Sequence, residues 1–221
     1  MMLLRCLTSD VTQFLEHRDA LMFNERDFQL QLALYLYRTG HYDGIDIEYA
    51  IPNAAAAAAG YEWESNLRLD MAVHSGSSYA VVELKYPTRR VRAEVSRFGR
   101  VLPDCEVIKS HGAQDLVSYH FWKDVRRIEI VRRLFPDTVV GGLAVMLTND
   151  PCYVRGAADG TIYREFSTAD RLHDIHGRLD WSRPAATATG HPGFTLEGRY
   201  STHWYHTDIA NEHFNYLIIQ I

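Results

Sequence analysis

The stretch LRLDMAVHSGSSYAVVELK, residues 67–85, decides how this chain folds. Two runs of strand-forming residues flank the turn-forming sequence HSGSS, which is typical of two antiparallel strands joined by a short loop. Charged residues interrupt both runs: Asp70 lies in the first, and Glu83 and Lys85 end the second. Ionised groups are costly in an apolar strand unless they pair or bind a ligand. These three residues therefore need a partner.

Strand geometry predicts that the three charged side chains come together. Because side chains alternate along a strand, Glu83 and Lys85 point to the same face of the sheet. Pairing about the HSGSS loop places Asp70 opposite about position 82, within about one residue of Glu83. Two carboxylates and one ammonium group are therefore expected at one strand end.

This combination of groups suits a hard divalent cation. Mg²⁺ and Mn²⁺ prefer oxygen ligands, and they are usually bound by one or two carboxylates, waters and a substrate phosphate. A neighbouring lysine can orient the attacking water or neutralise charge on a phosphoryl group. The residues that follow are basic, since Lys85 and five arginines lie within 85–100 against Glu94 alone. The chemistry indicated is attack on a phosphodiester.

Other elements are predicted on both sides of this hairpin. Helices are expected at 9–22 with Ser9 or Asp10 as the N-cap, between the N-cap Asn24 and Gly40, and at 112–134. The six alanines at 54–59 are short for a helix and are interpreted as a flexible loop. Strands and loops complete the chain: strands at 45–51, 138–148, 194–200 and 214–221, short strands near 152–155 and 161–166, and a long basic loop at 87–111.

This order of elements predicts the fold class. Helices, a three-strand meander, a helix and further strands indicate an α/β or α+β domain with a mixed central sheet flanked by helices. Residues 1–221 are expected to form a single domain. Within it, 151–221 either extend the sheet or form an accessory region.

At these residues the chain resembles a known family. An acid on a helix, Asp70 on one strand and Glu83-Leu84-Lys85 on the next resemble the PD-(D/E)xK phosphodiesterase superfamily, which has the restriction-endonuclease-like fold. The resemblance covers about 24–148 and implies a core of helix, three strands, helix and strand. It departs from the motif at Arg68-Leu69, where the family name expects a proline.

The resemblance also implies an activity and roles for particular residues. The activity is metal-dependent cleavage of nucleic acid, DNA rather than RNA, and many members act as homodimers. Asp70, Glu83 and Glu25 would bind Mg²⁺ or Mn²⁺, Lys85 would be the catalytic lysine, and Gln114 would be the polar residue beside the site.

Simpler interpretations stand beside these roles. The dipole of a helix favours an acid such as Glu25 in its first turn whatever the function, and Gln114 suits a helix N-terminus. The basic residues Arg89, Arg90, Arg92 and Arg97 either contact phosphate or are solvated loop charges. A second set is expected on a solvated helix face: Arg126, Arg127 and Arg133. The histidines are expected to be surface or core residues.

Two other functions remain open. One is a protein of the same fold that binds nucleic acid or a partner without cutting it. The other is a structural or interaction protein in which Glu83 and Lys85 simply pair.

Length and composition limit the remaining possibilities. With 221 residues, 47% of them hydrophobic, the chain can bury one substantial core. The net charge of −5 argues against indiscriminate binding of polyanions. Three scattered cysteines suit a reducing compartment. Neither a signal peptide nor a run of membrane-spanning length is evident, so a cytoplasmic protein is expected.

Overall fold

A computed structural model of the chain describes residues 2–61, 63 and 66–221. The helices are α1 (Met2–Glu16), α2 (Glu25–Thr39), α3 (Asn53–Ala58), α4 (Gln114–Leu134) and α5 (Pro151–Arg155). The strands are β1 (Gly44–Ile51), β2 (Leu67–Ser75), β3 (Ser78–Lys85), β4 (Val91–Arg97), β5 (Arg100–Ile108), β6 (Val139–Thr148), β7 (Ile175–Leu179), β8 (Phe194–Tyr200), β9 (Trp204–Ile209) and β10 (Glu212–Gln220).

The central sheet contains six strands in the order β1-β2-β3-β6-β10-β9. Strands β3 and β6 are parallel, whereas the other neighbouring pairs are antiparallel. The predicted fold class, a mixed sheet flanked by helices, is confirmed. From α2 to β6 the elements follow the order helix, three strands, helix, strand, with α3 inserted between β1 and β2 and the β4–β5 hairpin inserted after β3.

The two faces of the sheet bury separate cores. One core lies between the sheet and α4 and contains Val81 with Val125 and Ile128. The other lies between the sheet and helices α1 and α2, and it contains Val82 and Leu84. Because side chains alternate along β3, Glu83 and Lys85 share the α4 face with Val81.

The last part of the chain adds strands beside this core. Strand β10 pairs with β6, and β9 pairs with β10, so both extend the central sheet. Strands β7 and β8 form a separate two-stranded sheet, and β8 packs against α4. Strands β7 and β9 were not predicted from the sequence.

Helix α2 begins and ends at the residues that its sequence indicates. The Asn24 side chain accepts a hydrogen bond from the Asp27 amide at 2.9 Å, which satisfies one of the free amides of the first turn. Gly40 ends the helix with a left-handed φ of 70°, a conformation that glycine adopts without steric cost.

The predicted position of the first helix is wrong, because α1 spans Met2–Glu16 rather than 9–22. Its apolar residues recur at helical spacing from Leu3 to Leu15 and are buried. Asp10 is not a cap. It is a buried residue of the helix interior that accepts a hydrogen bond from the Tyr42 hydroxyl at 2.7 Å.

The expected basic loop at 87–111 is also wrong, because most of it forms the β4–β5 hairpin. Val91, Ala93 and Val95 alternate with polar residues, a strand pattern that the high charge of the segment obscures. Phe98 and Gly99 form the turn with φ values of 51° and 76°, as expected for a two-residue hairpin loop.

Three shorter predictions are corrected as well. Asp150 caps a helix whose first residue is Pro151, so 152–155 lie in α5 rather than in a strand. Residues Arg164–Phe166 form a 3-10 helix. Most of the alanine run lies in α3, where Ala56 is buried in the core beside α4. None of the helices in the described residues has the length and apolarity needed to cross a bilayer.

Candidate active site

The candidate site lies where the β2–β3 ladder ends. The last paired residues are Met71 and Val82, so Asp70 comes next, opposite Glu83. Beyond this last pair, contacts between carboxylates and backbone amides connect the two strands. The Leu84 amide donates to Asp70 Oδ2 at 2.7 Å, and the Asp70 amide lies 3.3 Å from Glu83 Oε2. The prediction that Asp70 lies within about one residue of Glu83 is confirmed.

Asp70 occupies an irregular position in β2. Leu69 packs in the core beside α4, whereas Met71 packs in the opposite core, so the alternation of faces changes at Asp70. On β1, Glu48 has a left-handed φ of 54° at the same level. Gln29 of α2 holds this region, because its Nε2 donates to the Asp70 carbonyl at 2.5 Å. The Asp70 carboxylate consequently lies against the Leu84 amide at the strand end.

Glu25 reaches the same strand end from the other face of the sheet. It is the first residue of α2, and its Oε2 accepts a hydrogen bond of 3.0 Å from the amide of Tyr86, which directly follows β3. The residue as a whole is exposed, but its carboxylate lies among protein atoms. Loss of hydration raises the pKa of Glu25, an effect that Lys85 opposes and Asp70 reinforces.

Lys85 forms a buried ion pair with Asp124 of α4. The two side chains are 17% and 4% exposed, and Lys85 Nζ also donates to the Leu84 carbonyl at 3.0 Å. Arg127, one turn along α4, lies 3.0 Å from Asp124 Oδ1 and 3.2 Å from Glu83 Oε1. Glu83 and Lys85 are thus both tied to α4.

The electrostatic environment of the two strand acids is unfavourable to their charged forms. Burial raises the pKa of both Asp70 and Glu83, and Asp124 adds repulsion. Lys85 is the main opposing charge at Asp70, and Arg127 is the main one at Glu83. A cation placed between these acids would relieve the penalty.

The remaining members of the cluster stay ionised. Burial acts to raise the pKa of Asp124, but Lys85 and Arg127 hold it below its usual range. Burial acts to lower the pKa of Lys85, but Asp124, followed by Glu25 and the strand acids, raises it. The cluster therefore has a net charge of −2 when all its members are ionised. Its acids are Asp70, Glu83, Glu25 and Asp124, and its bases are Lys85 and Arg127.

The donor set fits a hard divalent cation held by one or two carboxylates. Asp70, Glu83 and Glu25 each have one oxygen beside a backbone N–H donor, which leaves the second oxygens of Asp70 and Glu25 for another ligand. Glu83 Oε1 is buried without a hydrogen bond among the described residues, although Arg127 lies nearby. The Arg127 guanidinium is therefore the charge partner of this oxygen, and a bound cation would share the oxygen with it.

The three carboxylates do not form a closed cage. In the part of the chain that the structure describes, groups of three His, Cys, Asp or Glu ligand atoms within 4.8 Å of one another occur elsewhere, as Cys6/Asp10/His41 and His206/Asp208/His213. A cation at Asp70 and Glu83 would need waters and a phosphate to complete its shell, which is usual for Mg²⁺.

Two of the predicted contact residues lie together beyond the end of β6. Arg89 Nε is 3.1 Å from Asp150 Oδ1, and Gln114 Nε2 is 3.4 Å from Asp150 Oδ2. Asp150 thus holds the first residue of α4 and the residues after β3 together. Gln114 contacts this neighbouring carboxylate rather than Asp70 or Glu83.

The other predicted arginines lie on or beside the β4–β5 hairpin, and all are exposed. Arg92 forms an exposed ion pair with Asp104 at 2.7 Å. Arg97 lies over the Phe23 ring, 4.7 Å from its centroid. Among the residues that the structure describes, no acidic side chain pairs with Arg90 or Arg100, and these are the arginines most available to a phosphate.

The prediction of a solvated arginine face on α4 is wrong. Arg126 is 7% exposed and pairs with Glu129 at 3.1 Å and Glu197 at 2.7 Å. The Arg127 side chain, 13% exposed, lies in the candidate site, and Arg133, which is half-exposed, also pairs with Glu197. The reason is that β8 covers the side of α4 that carries Arg126.

Sequence reasoning missed the contributions of α4 and Gln29. Asp124 and Arg127 lie three residues apart on one helix, a spacing at which side chains are neighbours. This spacing was the feature of the sequence that could have predicted their ion pair. Two further groups lie nearby on α4: burial lowers the pKa of His120 to about 4 and that of Lys123 to about 8.

No protein-family model, curated protein or solved structure matches the chain.

Proposed function

We propose that the protein is a metal-dependent nuclease of PD-(D/E)xK type that hydrolyses phosphodiester bonds of nucleic acid, DNA rather than RNA. The observation that carries the proposal is that Asp70 and Glu83 lie opposite each other where the backbone pairing of β2 and β3 ends. Each carboxylate lies beside a backbone amide of the other strand, and Lys85 is two residues beyond Glu83. When bound there, Mg²⁺ or Mn²⁺ would polarise the phosphate and lower the pKa of the attacking water.

The protein groups have separate roles in this proposal. Asp70 and Glu83 would hold the cation, with Glu83 Oε1 shared with Arg127, and Glu25 would contribute from the rim. The raised pKa of Lys85 keeps its amine protonated. Lys85 therefore orients water and stabilises negative charge on the phosphate rather than accepting a proton. Asp124 positions the Lys85 ammonium group through their ion pair.

The hairpin that follows β3 supports a nucleic-acid substrate. Arg90 and Arg100 extend from it into solvent, and Arg97 lies on the same hairpin. Exposed arginines of this kind contact phosphates without reading the base sequence. We therefore propose that contacts with the phosphate backbone of the nucleic acid supply most of the binding affinity.

A second candidate function rests on the ion pairs with α4. Because Glu83 and Lys85 already pair with Arg127 and Asp124, the same fold could bind nucleic acid or a partner without cutting it. Binding that persists in chelator, without cleavage of any substrate, would favour this function.

The test is a panel of divalent ions with plasmid, single-stranded DNA and RNA as substrates. The wild-type protein is expected to cleave at least one of them with Mg²⁺ or Mn²⁺ and to lose activity in chelator. Asp70→Asn and Glu83→Gln should each reduce cleavage at least about 100-fold. Asp46→Asn, an exposed acid on β1, is the matched control and should retain activity. Full activity in both site variants would remove the mechanism.

We also propose that the protein acts in the cytoplasm, because Cys6, Cys105 and Cys152 are free thiols. By analogy with the PD-(D/E)xK superfamily, we also propose that the protein forms a homodimer. Sedimentation velocity would detect it.

A further inference from the structure

A second cluster of potential metal ligands lies near the other end of α2 from Glu25. Cys6 and Asp10 are four residues apart on α1, so their side chains lie on the same face of the helix. His41 follows Gly40, the residue that ends α2. Glu25 begins the same helix, and the 15 residues of α2 span about 22 Å. The cluster is therefore independent of the candidate active site.

The three ligand atoms have nearly the separations found on one face of a zinc tetrahedron. Cys6 Sγ lies 3.5 Å from His41 Nδ1 and 3.7 Å from Asp10 Oδ2. With usual zinc–ligand bond lengths, tetrahedral angles give about 3.6 Å for both separations. His41 Nδ1 and Asp10 Oδ2 are 2.8 Å apart, compared with about 3.4 Å in such a site. Only this last pair would have to separate, by about half an ångström.

The surroundings also suit a metal ion. The Tyr42 hydroxyl donates to Asp10 Oδ2 at 2.7 Å, and hydrogen bonds of this type orient metal-binding carboxylates. Cys6 and His41 line a cavity of about 430 Å³ together with Ser75 and Ser78. The cavity leaves room for a water or small ligand as a fourth ligand, as in zinc sites with three protein ligands.

We propose that Cys6, Asp10 and His41 bind one Zn²⁺ ion. A thiolate, an imidazole and a carboxylate favour zinc over Mg²⁺ or Mn²⁺, which prefer oxygen ligands alone. The ion would fasten α1 to the segment between α2 and β1. It has no part in the nuclease mechanism, so each proposal can fail without the other.

The test is titration of the full-length, chelator-treated protein with Co²⁺, which substitutes for zinc. Coordination by a thiolate produces a near-ultraviolet charge-transfer absorption. The wild type is expected to show this absorption with one equivalent of Co²⁺ and to lose it when Zn²⁺ is added. A cobalt ion at His206, Asp208 and His213 would produce no such absorption, since that group contains no sulfur.

Variants assign the signal to the proposed ligands. Cys6→Ser should abolish the charge-transfer absorption, and His41→Gln, at a half-exposed side chain, should weaken Co²⁺ binding at least about tenfold. Cys105→Ser is the control and should leave the titration unchanged. Absence of the absorption in the wild type, or its persistence in Cys6→Ser, would overturn the proposal. If Cys6→Ser does not fold, the His41→Gln titration decides.

Discussion

Lys85 is held at the candidate site by a buried ion pair between its ammonium group and Asp124 of α4. Removing one member of a buried pair leaves an uncompensated charge, which costs more than the pair itself contributes. Loss of activity after replacement of Lys85 alone would therefore not distinguish a catalytic defect from a folding defect.

A pair of variants separates these two effects. Lys85→Met should lower the free energy of unfolding by roughly 3 kcal/mol, because the Asp124 carboxylate loses its closest partner. Lys85→Met combined with Asp124→Asn should recover most of that stability and still lack nuclease activity. Urea unfolding and cleavage assays on both variants check this. An active double variant would exclude Lys85 from catalysis.

Glu83 makes folding dependent on pH in a defined direction. Because burial raises its pKa, the folded chain binds more protons than the unfolded chain between the ordinary value of 4.5 and the raised pKa. The stability from this group is complete below 4.5 and is lost as pH rises through the folded pKa. Relative to the wild type, Glu83→Gln should therefore gain stability as pH rises through this interval. Urea unfolding at a series of pH values measures the difference, and parallel curves would contradict it.

At the scale of elements, cap and turn signals identified α2 and the β2–β3 hairpin. The Asn24 cap and Gly40 fixed α2, and the HSGSS loop fixed the β2–β3 register to within one residue. The β4–β5 hairpin was missed because charged residues hid its alternating valines. The start of α1 was missed because Asp10 looks like a cap although it lies inside the helix.

The α2 cap gives a prediction of its own. Asn24→Ala should lower the free energy of unfolding by about 1 kcal/mol, because the Asp27 amide loses its hydrogen bond. Asn24→Ser, which retains a capping oxygen, is the control and should cost much less. Thermal or urea unfolding measures both, and equal losses would show that the cap does not account for the effect.

The hairpin gives a prediction about binding. Arg90→Ala and Arg100→Ala should each weaken nucleic-acid binding and lower the slope of log K against log salt by about one. Arg92→Ala is the matched control on the same hairpin, and its effect should be smaller because Asp104 already neutralises Arg92. Fluorescence anisotropy at several salt concentrations tests this, and equal effects for the three variants would refute it.

At the scale of the whole molecule, the sequence predicted the sheet and the strand half of the site but not the helix half. Local spacing was enough to bring Asp70 and Glu83 together, because a hairpin pairs residues that are close in sequence. Asp124 and Arg127 reach the site only through the packing of α4 across β3, a long-range contact that no local pattern encodes. Burial of Arg126 has the same origin, since it depends on β8.

The central claim is that Asp70 and Glu83 together bind one hard divalent cation. Electron paramagnetic resonance titration with Mn²⁺ tests it without a substrate, with Asp46→Asn as the control. The wild type and the control should each bind one Mn²⁺ at this site, and the double variant Asp70→Asn/Glu83→Gln should lose it. Equal Mn²⁺ binding by the wild type and the double variant, or none by the wild type, would contradict the account.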